Sequence, residues 1–360
     1  MADRPAHHGP DGKYRIPWPL EISDQRSGGG VLRWQMERMR SDLPPNPPPS
    51  AFPLATSDVA RPRGADNEIR ITWIGHASFL LQMDGWNVLT DPHFGPRASP
   101  FRFMGPRRFV PPGVALDALP PIDVVLLSHD HYDHLDAWSV RQLYRRFGDR
   151  IRWLAPLGHA AWLRARGIRN VSDLDWWGSA HLMSGRDTYI TSIGGKPVPR
   201  LARGDDLLWD GAGALTIACA PAQHWTRRRL TEYNDRLWGS FAIRTAAGRS
   251  VYFGGDSGYF RGYAEIGERL GPYDAVLMPI GAYEPRWFMA PAHMNPEEAV
   301  RAYRELGSRG AFVPMHWGTF RLTDEDPLEP PVRLRAAWAD AALPPDDLHV
   351  LRHGETLVIK

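Results

Sequence analysis

Three histidines and two aspartates lie close together in residues 128–135, whose sequence is Ser-His-Asp-His-Tyr-Asp-His-Leu. Imidazole and carboxylate groups are the donors that bind transition metals near neutral pH. This stretch therefore predicts a metal site, for one ion or for two ions close together. A solvent-exposed polar loop is the alternative, but such a loop gives no packing reason to collect three histidines.

The histidine-rich stretch must be positioned by the elements on either side of it. The apolar, β-branched residues 122–127 predict a buried strand that begins after two prolines. The residues that follow predict a helix, since Asp136 is a suitable N-cap and Gly148 a suitable end. The metal donors are thus expected on a loop that leaves a strand, which is where rigid scaffolds commonly carry functional groups.

The composition is that of a folded globular protein. Its 360 residues are 43% hydrophobic and carry a formal net charge of +2, so the chain can bury a large core in one domain or in two coupled halves. This charge balance gives no reason to expect a nucleic-acid partner. The single cysteine, Cys219, lies in the apolar run 215–220, which predicts a buried strand residue and excludes a disulfide within the chain.

The sequence contains neither a secretory signal pattern nor an apolar run of about 18 residues. We therefore expect a cytoplasmic protein, and a peripheral position on the inner face of the membrane is the alternative. The oligomeric state is left open, and a homodimer is compatible with the sequence.

Three regions follow from the composition along the chain. Residues 1–13 are polar and predict a disordered tail, in which His7 and His8 are expected to be solvated, with a chance metal-binding pair as the alternative. Residues 14–49 predict an N-terminal arm that ends in a proline-rich spacer. Residues 50–360 predict the main domain.

The N-terminal arm contains a short amphipathic helix, because Leu32, Met36 and Met39 share one helical face among arginines. We expect residues 14–40 either to pack on the core or to make transient contact with a membrane surface. A second stretch, residues 101–109, mixes arginines with phenylalanines and a methionine. It predicts either contact with anionic lipid or simple packing.

Other elements are predicted by their local signals. Residues 69–74, 78–82 and 86–90 alternate like antiparallel strands, and the last two make a hairpin. A helix is expected to begin at Asn295, which has a proline after it and a glutamate three residues later, and to stop at Gly307.

Three predicted strands in the second half of the chain are each followed by one more metal donor. The strands lie at residues 215–220, 250–255 and 310–315, and the donors are His224, Asp256 and His316. The complete set of seven donors is His129, His131, Asp133, His134, His224, Asp256 and His316. This set is large enough for two ions that share a carboxylate.

The donors and their spacing resemble the metallo-β-lactamase superfamily, in which an HxHxDH motif and three later ligands hold two metal ions. Within it, the chain is similar to the branch of phospholipases D that hydrolyse N-acylphosphatidylethanolamine. That similarity extends to motifs at residues 17–19, 73–78, 286–289 and 316–320. Ala292 stands where this branch carries a polar residue.

The resemblance implies an α/β (α+β) fold, the αββα sandwich of two mixed sheets flanked by helices. It also implies two divalent ions, for which we expect Zn²⁺, with iron or manganese as alternatives. The ligands that it implies are His129, His131 and His224 for the first ion, Asp133, His134 and His316 for the second, and Asp256 as the bridge.

The implied activity is that of a phosphodiesterase of the phospholipase D type, with a phospholipid as substrate. N-acylphosphatidylethanolamine would be hydrolysed to N-acylethanolamine and phosphatidic acid by attack of a hydroxide bridging the two ions on phosphorus. A metal-dependent hydrolase of a soluble substrate, such as a sugar-phosphate lactone or a small phosphodiester, is the alternative. A hydroxide at such a centre can attack the carbonyl carbon of a lactone as well as phosphorus.

Four residues are expected to be catalytic. Asp133 and Asp256 act as metal ligands, and His293 orients the phosphate or the leaving group unless it is merely a surface histidine beside a helix. Asp91 follows a strand and is expected to orient a ligand histidine or the hydroxide.

Further polar residues near these motifs have two interpretations each. Tyr132 and Tyr283 are expected to bind polar groups of the substrate, as is His293, and core packing is the alternative for both tyrosines. His76 and His93 either contact the metal ligands or cap loops.

Overall fold

The protein is built around two seven-stranded sheets that pack face to face. The computed structural model describes residues 5–20, 29–101, 103–183, 188–190, 192–193, 196–197, 215–229 and 231–360. All elements named below lie within these residues.

The strands in chain order are β1 (Ile69–Gly75), β2 (Ser78–Met83), β3 (Trp86–Thr90), β4 (Val124–Leu126), β5 (Arg152–Pro156), β6 (Val171–Leu174), β7 (Ser179–Leu182), β8 (Thr188–Ile190), β9 (Ser192–Ile193), β10 (Lys196–Pro197), β11 (Leu215–Ala220), β12 (Ser240–Thr245), β13 (Ser250–Phe253), β14 (Ala275–Pro279), β15 (Ala311–Met315) and β16 (Thr356–Ile359). The α-helices are α1 (Gly30–Arg40), α2 (Ala137–Phe147), α3 (His159–Arg164), α4 (Gly262–Leu270), α5 (Arg286–Met289), α6 (Pro296–Glu305) and α7 (Glu329–Asp340).

Both large sheets are mixed. The first has the order β16-β1-β2-β3-β4-β5-β6, antiparallel from β16 to β3 and parallel from β3 to β6. The second has the order β15-β14-β13-β12-β11-β7-β8, with parallel pairing only among β13, β14 and β15. Strands β9 and β10 form a separate two-stranded ribbon.

The main core lies between the two sheets. Side chains alternate across a strand, so every second residue of β1 and of β11 faces inward. Ile71 and Trp73 of the first sheet and Ile217 and Cys219 of the second are buried in this one cluster. The expectation that Cys219 is a buried strand residue is confirmed.

Helices cover the outer face of each sheet. Leu143 of α2 and Leu163 of α3 pack on Val125 and its neighbours in the first sheet. Tyr303 of α6 and Trp338 of α7 pack on the second sheet. The layers are therefore helix, sheet, sheet and helix, and the predicted αββα fold is confirmed.

The first residues differ from the expected disordered tail. Residues 5–13 are described in the structure, and His7 is only 6% exposed. The order has a tertiary cause, because His7 stacks on Trp176 at 4.4 Å between ring centroids, and His8 pairs with Tyr14 in an antiparallel bridge. These contacts with the rest of the chain hold the segment in place although its own composition is polar.

The N-terminal arm packs on the main domain through α1. The Trp34 ring stacks on Phe288 of α5 at 5.1 Å, and its indole N–H donates to Asp324 Oδ2 at 2.7 Å. Residues 21–28 of the arm and Arg102 of the basic and aromatic stretch lie outside the described residues. In the part of the chain described, no helix has the length and apolar character needed to cross a bilayer.

Helix α6 begins with the capping box that the sequence predicts. The Asn295 side chain accepts a hydrogen bond from the Glu298 backbone N–H at 2.9 Å, and the Glu298 carboxylate accepts one from the Asn295 N–H at 3.0 Å. This cap fixes the start of α6 two residues after His293, so it bears on the site as well as on the helix.

We predict that Asn295→Ala lowers the free energy of unfolding by about 1 kcal/mol, because the Glu298 N–H at the helix start loses its acceptor. Urea denaturation of the full chain measures this. Asn295→Asp keeps an acceptor oxygen and should stay within about 0.5 kcal/mol of the wild type. Equal stability of the wild type and Asn295→Ala would contradict the capping role.

Candidate metal centre

The predicted donors meet at one edge of the sandwich, where strands of both sheets end. The segment from His129 to His134 follows β4 of the first sheet, whereas His224, Asp256 and His316 follow β11, β13 and β15 of the second. Loops from both sheets therefore face each other across this edge.

One cluster contains His129, His131, His224 and Asp256. His131 Nδ1 lies 2.9 Å from His129 Nε2 and 3.1 Å from His224 Nε2. Three imidazole nitrogens thus converge on one point with a carboxylate beside them. This is the ligand set that the resemblance implies for the first ion.

A second cluster contains His76, Asp133, His134 and His316. Asp133 Oδ2 lies 3.3 Å from the Nε2 atoms of both His134 and His316. The same oxygen lies 2.9 Å from His76 Nε2. The second cluster therefore has one histidine more than the resemblance implies.

Asp256 joins the two clusters. Its Oδ2 lies 3.1 Å from His134 Nε2 and 3.8 Å from the Nε2 atoms of both His129 and His224. Its Oδ1 lies 3.1 Å from His316 Nε2. This carboxylate is placed where a ligand common to two ions must lie.

Several donor atoms of the two clusters have no hydrogen-bond partner in the described part of the chain, and metal ions could take the place of such partners. His134 Nε2, His316 Nε2 and Asp256 Oδ1 are buried, and none of the three has a hydrogen-bond partner among the described residues. Buried polar atoms without partners are costly. Nitrogen and carboxylate donors at these separations suit two divalent ions, and zinc, iron and manganese all accept such donors.

Contacts behind the ligands fix which ring nitrogen faces the centre. Asp91 Oδ2 accepts hydrogen bonds from His134 Nδ1 at 2.7 Å and from Ser128 Oγ at 2.6 Å. The Ala292 carbonyl oxygen accepts one from His224 Nδ1 at 2.9 Å. In both rings Nε2 is left for the centre. Asp91 thus makes the contact that its expected orienting role requires.

Burial and charge divide the histidines into two kinds. Burial, together with neighbouring histidines, lowers the pKa of His129 and of His224 well below the ordinary value. Burial also acts against the charged form of His316, but the Asp256 and Asp133 carboxylates together outweigh it and raise the pKa to about 9. The His129 and His224 rings are thus neutral at pH 7, whereas the two carboxylates favour the charged form of His316.

Asp130, the remaining aspartate of the histidine-rich stretch, lies outside both clusters and holds the loop 225–236. Its carboxylate accepts hydrogen bonds from Arg236 Nη1 at 2.9 Å and from the Arg227 backbone N–H at 3.0 Å. The same loop places the Trp225 ring 4.5 Å from the His131 ring. Asp130 thus supports one wall of the centre.

His293 lies where the centre meets solvent. Its Nδ1 is 3.9 Å from Asp256 Oδ2, and its ring lies 5.1 Å from the His224 ring and 5.5 Å from the His316 ring. The side chain remains 14% exposed. Burial lowers the pKa of His293 to about 3, so the ring is neutral at pH 7. Its place beside both clusters suits contact with a bound substrate.

The structure places three other candidates outside both clusters. The Tyr132 hydroxyl donates to the Arg228 carbonyl oxygen at 2.8 Å. Tyr283 is buried, with the Arg333 guanidinium 4.9 Å from its ring centroid. His93 is buried with its ring 4.9 Å from that of Phe320. Substrate binding by the two tyrosines stays a prediction.

His76 is the donor whose role the sequence left undecided. It follows β1 at the same edge of the sheet, has a left-handed φ of 58°, and donates its backbone N–H to Thr319 Oγ1 at 2.7 Å. Its carbonyl oxygen accepts from the His316 backbone N–H at 3.2 Å. The signal available in the sequence was a Gly-His pair directly after a strand that ends at the ligand edge.

Comparison with known proteins agrees with this geometry. The profile of the beta-lactamase superfamily domain matches residues 86–317. The chain belongs to the metallo-β-lactamase superfamily. The resemblance that the sequence shows to this superfamily is thereby confirmed, and the chain is a metal-dependent hydrolase.

Two individual proteins are similar to this chain over most of its length. An uncharacterized protein of Mycobacterium tuberculosis is 39% identical over 311 residues, which cover 85% of this chain and 73% of the relative. The N-acyl-phosphatidylethanolamine-hydrolyzing phospholipase D 1 of Caenorhabditis elegans is 38% identical over 271 residues, which cover 73% of this chain and 68% of that protein.

A solved structure supports the fold. A metallo hydrolase from the hyperthermophilic archaeon Ignicoccus hospitalis superimposes with a TM-score of 0.55 at 23% sequence identity. The match covers 82% of this chain and 99% of that chain. At this identity the similarity concerns the fold alone.

We predict that His224→Ala and His316→Ala each lose about one equivalent of bound metal relative to the wild type, because each removes a ligand from a different cluster. Elemental analysis of desalted protein measures the loss. His349→Ala makes the same substitution outside both clusters and should leave metal content unchanged. If His316→Ala retained the full metal content, the second cluster would not be a binding site.

Proposed function

We propose that this hydrolase is a phosphodiesterase of the phospholipase D type that converts N-acylphosphatidylethanolamine into N-acylethanolamine and phosphatidic acid. The observation that carries the proposal is the pairing of two donor clusters through Asp256. The name of the Caenorhabditis elegans relative supports this substrate. The two donor clusters and that name together favour a lipid phosphodiester.

Two divalent ions, when bound about 3.5–4 Å apart, lower the pKa of a water molecule and neutralise the oxygens of a phosphodiester. Asp133 and Asp256 would hold these ions, since each carboxylate lies within reach of two or more ligand histidines. Asp91 keeps His134 in one orientation. The chain therefore fixes the centre before a substrate arrives, so little reorganisation is needed during reaction.

His293 is the residue that we assign to the phosphate or the leaving group. It projects from the segment between α5 and α6, and the Arg286 guanidinium donates to its carbonyl oxygen at 2.9 Å. Because the low pKa leaves the ring neutral at pH 7, it can donate one hydrogen bond to an oxygen of the substrate without adding charge.

An apolar surface beside the centre suits a lipid substrate. On the outer face of α1, Leu32 is 63% exposed and Met39 is 78% exposed. The inner face of the same helix packs on α5, since Trp34 stacks on Phe288. The segment that carries His293 follows α5 directly, so α1 packs on the helix that precedes this segment.

The stretch 101–109 forms a second exposed apolar element. Phe103 is 79% exposed and contacts Phe101 with 5.7 Å between ring centroids. The Phe109 backbone N–H donates to the Thr319 carbonyl oxygen at 2.9 Å, which ties this stretch to the loop that follows His316. We propose that α1 and this stretch together touch the membrane surface during catalysis.

The purified protein is expected to release N-acylethanolamine from N-acylphosphatidylethanolamine in mixed micelles. His131→Ala should reduce the rate by about 100-fold or more, because it removes a ligand of the first cluster. His349→Ala is the matched control and should keep the wild-type rate. In water labelled with heavy oxygen, the label should enter phosphatidic acid, since the attack is on phosphorus.

Label in the N-acylethanolamine would indicate cleavage on its carbon side and contradict the proposed chemistry. Turnover of a soluble diester or lactone, with none of the lipid, would retain the metal centre and overturn the lipid assignment.

We predict that the double substitution Met39→Glu and Phe103→Glu weakens binding to vesicles that contain anionic lipid, because it places two negative charges on the apolar surface. Cosedimentation with the vesicles measures binding. Ala336→Glu adds a charge to the exposed face of α7 and should bind like the wild type. Equal binding of the double variant and the wild type would exclude this surface from membrane contact.

A further inference from the structure

A third group of metal donors combines two histidines near the N-terminus with an aspartate from the middle of the chain. It contains His7, His8 and Asp175, whose ligand atoms all lie within 4.8 Å of one another. His7 Nε2 is 2.7 Å from Asp175 Oδ1, and His8 Nε2 is 2.9 Å from Oδ2 and 3.2 Å from Oδ1. Two imidazole nitrogens thus converge on one carboxylate.

Packing holds both rings in this arrangement. Trp176 stacks on the His7 ring with 4.4 Å between centroids, and the edge of Tyr14 meets the His8 ring at 5.2 Å. The two imidazoles stand 77° apart in plane, so their Nε2 atoms approach the carboxylate from different directions. Neither ring can turn away without losing an aromatic contact, which is the preorganisation that a metal site requires.

The negative charge of the Asp175 carboxylate also favours binding of a cation. Asp175 is only 2% exposed, and among the described residues its ion pairs are with His7 and His8. Burial alone would raise the pKa of Asp175, but the hydrogen bonds from these histidines lower it, so the carboxylate is ionised at neutral pH. A buried carboxylate whose ion pairs within the described part of the chain are with histidines alone is costly unless positive charge neutralises it.

The distances match those of the main metal centre. Ligand atoms there lie 2.9–3.8 Å apart. In the third group each histidine nitrogen lies 2.7–3.2 Å from a carboxylate oxygen, and all the ligand atoms lie within 4.8 Å of one another. A tetrahedral zinc ion bound at about 2.0–2.2 Å needs nitrogen and oxygen ligands separated by roughly 3–4 Å. A small shift outward of the two rings is sufficient to admit the ion.

We infer that His7, His8 and Asp175 bind a divalent transition-metal ion, for which Zn²⁺ is the probe, and that this ion fastens the N-terminal segment to the connection between β6 and β7. Two histidines and one carboxylate supply three ligands, and water completes a tetrahedral set. The site is separate from the paired clusters and does not depend on the proposed function.

The segment fastened in this way supports a wall of the catalytic centre. The Tyr14 backbone N–H donates to the Asn234 carbonyl oxygen at 2.9 Å, and Lys13 Nζ donates to the Tyr233 carbonyl oxygen at 2.9 Å. Both acceptors belong to the loop 225–236, which places Trp225 against His131. An ion at the N-terminal site therefore stabilises a loop that borders the first cluster.

The test counts zinc in the full-length protein after saturation and desalting. The wild type is expected to hold three ions per chain and His8→Ala two. His8→Gln keeps a side chain that can hydrogen-bond to Asp175 but removes the imidazole, and it should also hold two. His349→Ala should hold three, and all these variants should retain hydrolytic activity above that of His131→Ala.

Thermal unfolding gives a second measurement that does not depend on activity. In the metal-depleted wild type, zinc should raise the melting temperature more than it does in His8→Gln. The same zinc content in the wild type and His8→Gln, whatever the total, would overturn the inference. The three residues would then be a hydrogen-bonded contact only.

Discussion

The buried carboxylate of Asp256 is the group on which the rest of the centre depends. Histidines from the ends of β4, β11 and β15 lie within 3.8 Å of it, and these strands belong to two different sheets. The sheets must therefore pack with their ligand-bearing edges aligned, and the core between them sets that alignment. Negative charge at this depth has to be balanced by cations, which explains why histidines and not apolar residues follow these strands.

Much of this arrangement could be predicted from the sequence because its signals are local. Each of Asp256, His224 and His316 follows a short apolar run, and such a run predicts a buried strand that ends where the donor stands. Strands of one sheet that run in the same direction end at the same edge, so donors that follow such strands meet there. The αββα fold and the two clusters follow from that pattern together with the resemblance.

What could not be predicted depends on contacts between distant parts of the chain. His76 acquires its role from Asp133, 57 positions away, and nothing in its own neighbourhood distinguishes a loop cap from a ligand. The expected disorder of His7 and His8 failed for the same reason, since their partner Asp175 is nearly half the chain away, 168 positions from His7. Composition describes how a segment behaves alone, whereas tertiary partners decide whether it is ordered.

The His224 ring is oriented by a hydrogen bond to the main chain at Ala292 and not by a side chain. The acceptor is a carbonyl oxygen, which every amino acid supplies, so the orientation of His224 does not specify the side chain at position 292. That side chain is only 1% exposed and stands next to His293 in the chain. A different side chain that fitted this position would therefore leave the partner of His224 Nδ1 in place.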